Sequence, residues 1–232
     1  MEINLSWMFP DILSLHGERG SVQAFERVAK NLGVTLNVKK EADENTDIML
    51  FLPGELKVIP TIKEKLDKEY LQKYIEAGKY LICIGTTGSL LAKEITREDG
   101  SKFDGLGLLD MNIIERKMVI GDDLHFYINK TKQEIIGSQI QMLDIERGSL
   151  EPLGYTLYGY GNSGKCDEGA RYKNAIFTNC LGPVFVKNPW WAEEILKDII
   201  VKKLTGNKSK EYDLENKSFE TTKRFIKEKP KE

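Results

Sequence analysis

Apolar and polar positions change period several times along the chain, and each change marks an element. Ile3 to Met8 is an apolar-rich run that reads as a first strand, ended by Phe9-Pro10-Asp11. Val22, Phe25, Val28, Ala29 and Leu32 then recur at helical spacing. Ser21 is the expected N-cap of this helix and Gly33 its stop. Val34 to Val38 alternate as a second strand, and Asp47 to Leu52 form a third that ends at Pro53-Gly54. Helical period returns through Ile62, Leu66, Tyr70, Tyr74 and Ile75, where Thr61 and Glu64 fit a capping box and Gly78 closes the helix. Tyr80 to Ile84 is a short apolar run, the mark of a strand covered on both faces. Gly85 to Gly88 turn sharply, and Ser89 to Ala92 are expected to open another helix.

After Phe103-Asp104-Gly105-Leu106-Gly107-Leu108-Leu109 the texture changes. Met111–Arg116, Met118–Ile120, Leu124–Ile128, Ile135–Asp144 and Tyr155–Tyr160 read as short β segments with glycine or charged breaks. Asn162-Ser163-Gly164 makes a loop and Ala175–Phe177 a last short strand. Asn188-Pro189 starts a helix as cap and first helical residue, with Trp191, Ile195, Leu196, Ile199 and Ile200 on its apolar face. From Thr205 onward lysine and glutamate dominate, so residues 1–204 read as one domain and 205–232 as a charged tail. That tail is either a solvated extension or a marginal helix that docks. Strands alternating with helices in the first half predict an α/β fold with a central mixed, mostly parallel sheet and helices on both faces. In such sheets ligands bind beyond the carboxyl ends of the strands, where the Pro53-Gly54 and Gly85–Ser89 turns fall.

Composition narrows the class. The 232 residues carry a net charge of −2, which gives no footprint for nucleic acid. No apolar run approaches the ~20 residues of a membrane span, and Met1-Glu2-Ile3-Asn4 does not read as a signal peptide. Cys83, Cys166 and Cys180 are an odd set without CxxC spacing, which points to a reducing, cytoplasmic location with no metal site and no cofactor.

The candidate chemistry centres on Lys79–Ala92. A strand followed by a sharp turn is an elbow that holds one side chain at the mouth of a site beside backbone N–H donors. A nucleophile elbow carries Cys or Ser at its apex; here the apex is glycine. The Gly85–Gly88 turn could instead hold an anion on its N–H groups, as any glycine-rich turn could. Cys83 sits inside the apolar run and reads as core. Cys180 also reads as packing, and Cys166 as a surface thiol. Thr86 and Ser89 are expected to cap the turn. His16, in a polar loop, reads as a packing or interface residue, and His125, between Leu124 and Phe126, as structural. Trp190-Trp191 is either an anchor for the last helix or a partner surface.

These stretches, taken in order, resemble the class I glutamine amidotransferases of the cobyric acid synthase type, and within them the GatD branch. The residues carrying the likeness are Phe9-Pro10-Asp11-Ile12-Leu13 with His16-Gly17-Glu18-Arg19-Gly20-Ser21, the elbow with Leu90-Leu91, and Gly105-Leu106-Gly107-Leu108-Leu109-Asp110. A late block completes it: Pro152-Leu153-Gly154, Gly159-Tyr160-Gly161-Asn162, Glu168-Gly169, Tyr172-Lys173-Asn174, Leu181-Gly182-Pro183 and Lys187-Asn188-Pro189. The resemblance implies a three-layer, flavodoxin-like fold and a Mur-ligase-like partner that modifies the cell-wall precursor lipid II. It also implies glutamine hydrolysis by a Cys at the elbow, a His that activates it, and N–H donors for the oxyanion. The family apex reads Cys-Gly-Gly-Tyr-Gln before the paired leucines, which puts Gly85-Thr86-Thr87-Gly88-Ser89 in register and Gly85 at the nucleophile position. The family histidine precedes Gly-Pro; here that residue is Leu181. The glycine-rich turn after the third strand holds Pro53, which has no N–H to lend. The expectation is a catalytically degenerate subunit whose pocket is Pro53, Gly54, Gly85, Thr86, Thr87, Gly88 and Leu181. Two alternatives stay open: an active enzyme with a relocated nucleophile, Cys180 or Cys83, and a small-molecule binding module.

Overall fold

The structure is a computed structural model that describes residues 1–201 and 212–228. Its first sheet is built from β1 (Glu2–Met8), β2 (Thr35–Lys39), β3 (Ile48–Phe51) and β4 (Tyr80–Ile84), joined late by β11 (Ala170–Tyr172) and β12 (Ala175–Thr178). The order is β11-β12-β4-β3-β1-β2, parallel throughout except for the antiparallel pair β11–β12. Every residue of β3, β4 and β12 is buried. A strand flanked by parallel neighbours and covered on both faces needs such an unbroken apolar run.

Helices α1 (Arg19–Asn31), α2 (Ile59–Lys63) and α3 (Lys68–Glu76) connect these strands. The β1–β2 and β3–β4 crossovers step in opposite directions along the sheet, so right-handed connections put α1 and α2–α3 on opposite faces. After β12 come α4 (Val184–Lys187) and α5 (Pro189–Ile200), which pack on α1. Phe25, Phe185 and Trp191 form the aromatic seam between them, with centroids 4.6 and 4.9 Å apart.

Several local expectations need correction. Ser21 is inside the first turn of α1 rather than at its cap, because its hydroxyl donates to Glu18 Oε2 (2.8 Å). The helix expected from Thr61 breaks in two. Asp67 caps the second part, accepting from Glu69 N–H (2.9 Å) and Tyr70 N–H (3.1 Å), and a short carboxylate in that position outcompetes a box at Thr61. Asn188 stands at the N-cap of α5, but its side chain bonds Ile136 and Val184 instead of the helix end.

The largest departure is in the second half, whose strands build a sheet of their own. β5 (Glu94–Thr96), β6 (Lys102–Asp104), β7 (Met111–Ile128), β8 (Glu134–Arg147), β9 (Gly154–Tyr158) and β10 (Asp167–Glu168) pair in the order β10-β9-β7-β5-β6, with β8 on β7. The segments read separately between 111 and 144 are two long strands of one hairpin, with a register shift between Glu115 and Ile120. Around those breaks Lys117, Met118, Val119, Gly121 and Asp122 are all exposed, so this part of the hairpin faces solvent on both sides. Within the tail, α6 (Asp213–Glu228) is a helix against α4 and β8. Phe219 meets Trp190 edge-on at 5.2 Å and His125 at 6.3 Å, and Lys223 pairs with Glu134 (2.5 Å). Residues 205–211 and 229–232 of the predicted tail, and 202–204 just before it, lie outside the described residues.

Candidate active site at the elbow

The elbow forms, without the expected helix behind it. Gly85–Leu90 is a single 3-10 stretch, after which a turn and bend at Leu91, Ala92 and Lys93 lead into β5. The run Gly105–Leu109 takes its backbone partners: Leu106 N–H bonds Leu90 O (2.9 Å), Gly107 N–H bonds Ala92 O (2.8 Å), and Leu109 N–H bonds Leu91 O (2.9 Å). Any side chain at Gly105 would collide with the carbonyls of Ser89 and Ala92, which is why glycine stands there. With no helix behind the apex, there is no helix dipole to draw an anion to it.

Gly85 has φ +61°, the left-handed backbone of a sharp apex. A Cβ built on it would lie 3.2 Å from Pro53 Cβ and 3.3 Å from Leu181 Cδ2. Three positions far apart in sequence thus meet at one point. Each is a position that the sequence reading matched to the catalytic machinery of the family it resembles. Leu181 is 2% exposed, and its backbone is held by Ser138, N–H to O at 2.8 and 2.9 Å in each direction. Pro53 and Leu181 are both buried and lie within aliphatic contact range of the half-exposed apex.

The hydroxyls nearby are committed to the fold. Thr86 Oγ1 accepts from Gly54 N–H (3.1 Å) and donates to Gly54 O (2.6 Å), so it ties the two turns together rather than capping its own. Thr87 Oγ1 accepts from Ile84 N–H (3.1 Å) and faces Phe51 O and Ile84 O at 3.0 and 2.9 Å. Ser89, expected to cap, is buried with its hydroxyl unpartnered. Gly88 lies flat against the Phe177 ring, where a Cβ would overlap the aromatic carbons.

No thiol reaches this point. Cys83 and Cys180 are fully buried, and burial pushes both thiols well above their ordinary range. The nearby carboxylates of Glu168 and Glu18 raise Cys180 further. Cys166 is exposed on a surface turn. His16 is exposed at φ +59°, and His125 is buried with Nε2 2.9 Å from Glu134 Oε2. Trp191 is core; Trp190 donates its indole N–H to Glu134 O (3.2 Å), so both tryptophans pack. Among the described residues there is no cluster of three His, Cys, Asp or Glu arranged for a metal, and no helix long and apolar enough to cross a membrane.

Two buried carboxylates beside the crevice escape a sequence reading. Glu18 is fully buried and accepts from the backbone N–H groups of Gly182 (2.5 Å) and Val184 (3.3 Å). Burial pushes its carboxyl up to about 7 against the pull of Ser21, those two amides and Lys187. Glu168 accepts from Thr178 Oγ1 and Asn179 N–H, both at 2.7 Å, and burial raises it too. The only sequence signal for Glu18 is its place in the His16–Ser21 loop.

No family model matches the chain. It is 25% identical over 229 residues to the lipid II isoglutaminyl synthase (glutamine-hydrolyzing) subunit GatD of Staphylococcus aureus (strain N315), covering 92% of this chain and 91% of that one. Among solved structures it superposes on a glutamine amidotransferase with TM-score 0.57 at 17% identity, covering 83% of this chain and 97% of the other. On PurLQS from Thermotoga maritima the TM-score is 0.61 at 12% identity, with coverage of 87% and 99%. The chain has the α/β fold of the class I glutamine amidotransferases, and its sequence is similar over most of its length to a GatD subunit.

Proposed function

We propose that this chain is a catalytically degenerate, glutamine amidotransferase-like subunit that serves a Mur-ligase-like, cell-wall precursor-modifying partner in the cytoplasm without supplying it with ammonia. The observation that carries the reading is the meeting of Gly85, Pro53 and Leu181. Glutamine hydrolysis needs a nucleophile, a base and oxyanion donors in one place. Glycine and leucine cannot attack a carbonyl or carry a proton, and proline has no N–H. Loss of nucleophile and base together leaves only what binding supplies. A relocated thiol is disfavoured because Cys83 and Cys180 are buried, protonated and without a neighbouring imidazole. The partnership rests on similarity to a protein that is itself named as a subunit.

The test is to mix the purified chain with a Mur-ligase-like protein encoded beside it. The reading expects a heterodimer by light scattering, and amidation of the ligase's substrate driven by free ammonia but not by glutamine. Glutamine-driven amidation would overturn the degenerate assignment, and absence of a complex would overturn the partnership.

A further inference from the structure

Phe9 carries a backbone that its side chain does not favour. At φ +52° it stands in the left-handed region, where a bulky residue is an outlier. A turn holds it there, since Phe9 O accepts from Ile12 N–H (3.0 Å) and Leu13 N–H (2.8 Å). Residues held in this way gather at ligand-holding sites. Phe9 lines a cavity of about 370 Å³, within the range in which proteins bind small molecules.

The fold gives this cavity its place. Met8 ends β1, Phe9 follows it, and Ala42 comes shortly after β2, so the cavity lies at the carboxyl ends of both strands. β1 and β3 are neighbours whose crossovers leave in opposite directions, and open α/β sheets bind ligands at such a switch point. Met49 of β3, fully buried, lines the inner side. No residue of the elbow lines the cavity. Its walls are tied together by hydrogen bonds. Tyr70 of α3 donates its hydroxyl to Asp43 O (2.8 Å), which joins the helix to the loop after β2. Ser6 Oγ of β1 donates to Glu41 O (3.0 Å), which joins the same loop to the sheet. Within the loop, Asp43 N–H donates to Thr46 Oγ1 (2.9 Å). The cavity is therefore preformed, as ligand pockets usually are.

The side chains then decide what fits. Two thioethers, Met8 and Met49, and two rings, Phe9 and Tyr70, line the cavity with Ala42 and Leu66. Phe9, Ala42, Leu66 and Tyr70 are only half-buried, which leaves apolar surface for a ligand to cover. Sulfur at a ring edge and ring against ring both favour an aromatic body over an aliphatic one. The charged residues that line the mouth, Lys40, Lys65, Glu41 and Asp67, are exposed and of both signs. Lys40 stands 3.8 Å from Asp11, and the Asp67 carboxylate is engaged in capping α3. A polyanion would meet repulsion there as well as attraction. We propose that this cavity is a binding site for a small aromatic molecule without a polyanionic group, separate from the elbow.

The experiment titrates the full chain with 2-naphthol, with its saturated counterpart decahydro-2-naphthol, and with ADP. Saturation-transfer NMR and the melting temperature are the two readouts. The expected result is saturable binding of 2-naphthol with a rise in melting temperature. The saturated ring binds about 2–10-fold more weakly, and ADP more weakly than 2-naphthol. Ala42→Trp fills the cavity and abolishes the binding. Leu66→Gln puts an amide into the apolar wall and weakens binding about tenfold, and it decides the question if Ala42→Trp does not fold. Absence of saturation, equal binding of the saturated ring, tighter binding of ADP, or unchanged binding in a folded variant overturns the site.

Discussion

Placing a methyl group at Gly85 probes the contact of the apex with Pro53 and Leu181 directly. Two costs follow from the structure for Gly85→Ala. The backbone at φ +61° is left-handed, which costs a residue with a Cβ roughly 1–2 kcal/mol. The new carbon also meets Pro53 at 3.2 Å and Leu181 at 3.3 Å, and overpacking of this kind costs about 1–3 kcal/mol. Together they give a destabilisation of about 2–5 kcal/mol, or roughly 4–20 °C in melting temperature for a domain of this size. Leu181→Ala separates the two. By itself it costs about 2–5 kcal/mol as a buried cavity. In its background the contact with Leu181 is gone, so Gly85→Ala should cost less by about 0.5–1 kcal/mol. The assay is urea denaturation of the wild type, both single variants and the double variant. A zero coupling energy would mean that Leu181 does not fill the space over the apex. A Gly85→Ala chain as stable as wild type would refute both the strain and the close approach.

Other consequences are read separately. Glu18 has its folded carboxyl at about 7 against an ordinary 4.5, so the folded state holds a proton that the unfolded state releases between these values. Its contribution is full below pH 4.5 and is lost as pH rises through 7, a span of about 3 kcal/mol. Denaturant midpoints should fall across that window, and Glu18→Gln should flatten the fall; an unchanged slope in the variant would contradict it. A chromogenic disulfide reagent should modify one thiol, Cys166, in the native chain and three after denaturation, and a second fast thiol would show that Cys83 or Cys180 is reachable. Phe219→Ala removes the edge-on contacts with Trp190 and His125. Aromatic pairs of this kind contribute ~0.5–1.5 kcal/mol beyond area. The variant's tail should be cleaved faster by trypsin than the wild type's, and equal rates would mean that the docking of α6 does not depend on this ring.

Legibility from the sequence followed the range of the interactions. Ile48–Phe51 and Tyr80–Ile84 were readable because strands buried on both faces must be apolar at every position. The β7–β8 hairpin was not, since Lys117 and Asp122-Asp123 look like breaks when the strand that pairs beside them is unknown. Leu90-Leu91-Ala92 suits a helix or a strand equally well, and only the distant Gly105–Leu109 backbone decides between them. The elbow position of Gly85 was legible through the Leu90-Leu91 pair. That Pro53 and Leu181 stand beside it was expected only through the family resemblance, because periodicity and spacing alone do not show convergence across such separations. Glu18 escaped for a related reason: a glutamate in a polar loop gives no sign that the Gly182–Val184 turn will bury it.

Ammonia release from glutamine by the purified full-length chain tests the central claim most directly, with a glutaminase of the same fold as positive control. The account predicts a rate indistinguishable from the buffer blank, unaltered in Cys83→Ala/Cys180→Ala. Sustained release by the wild-type chain would contradict it, whether or not that release survived the loss of both thiols.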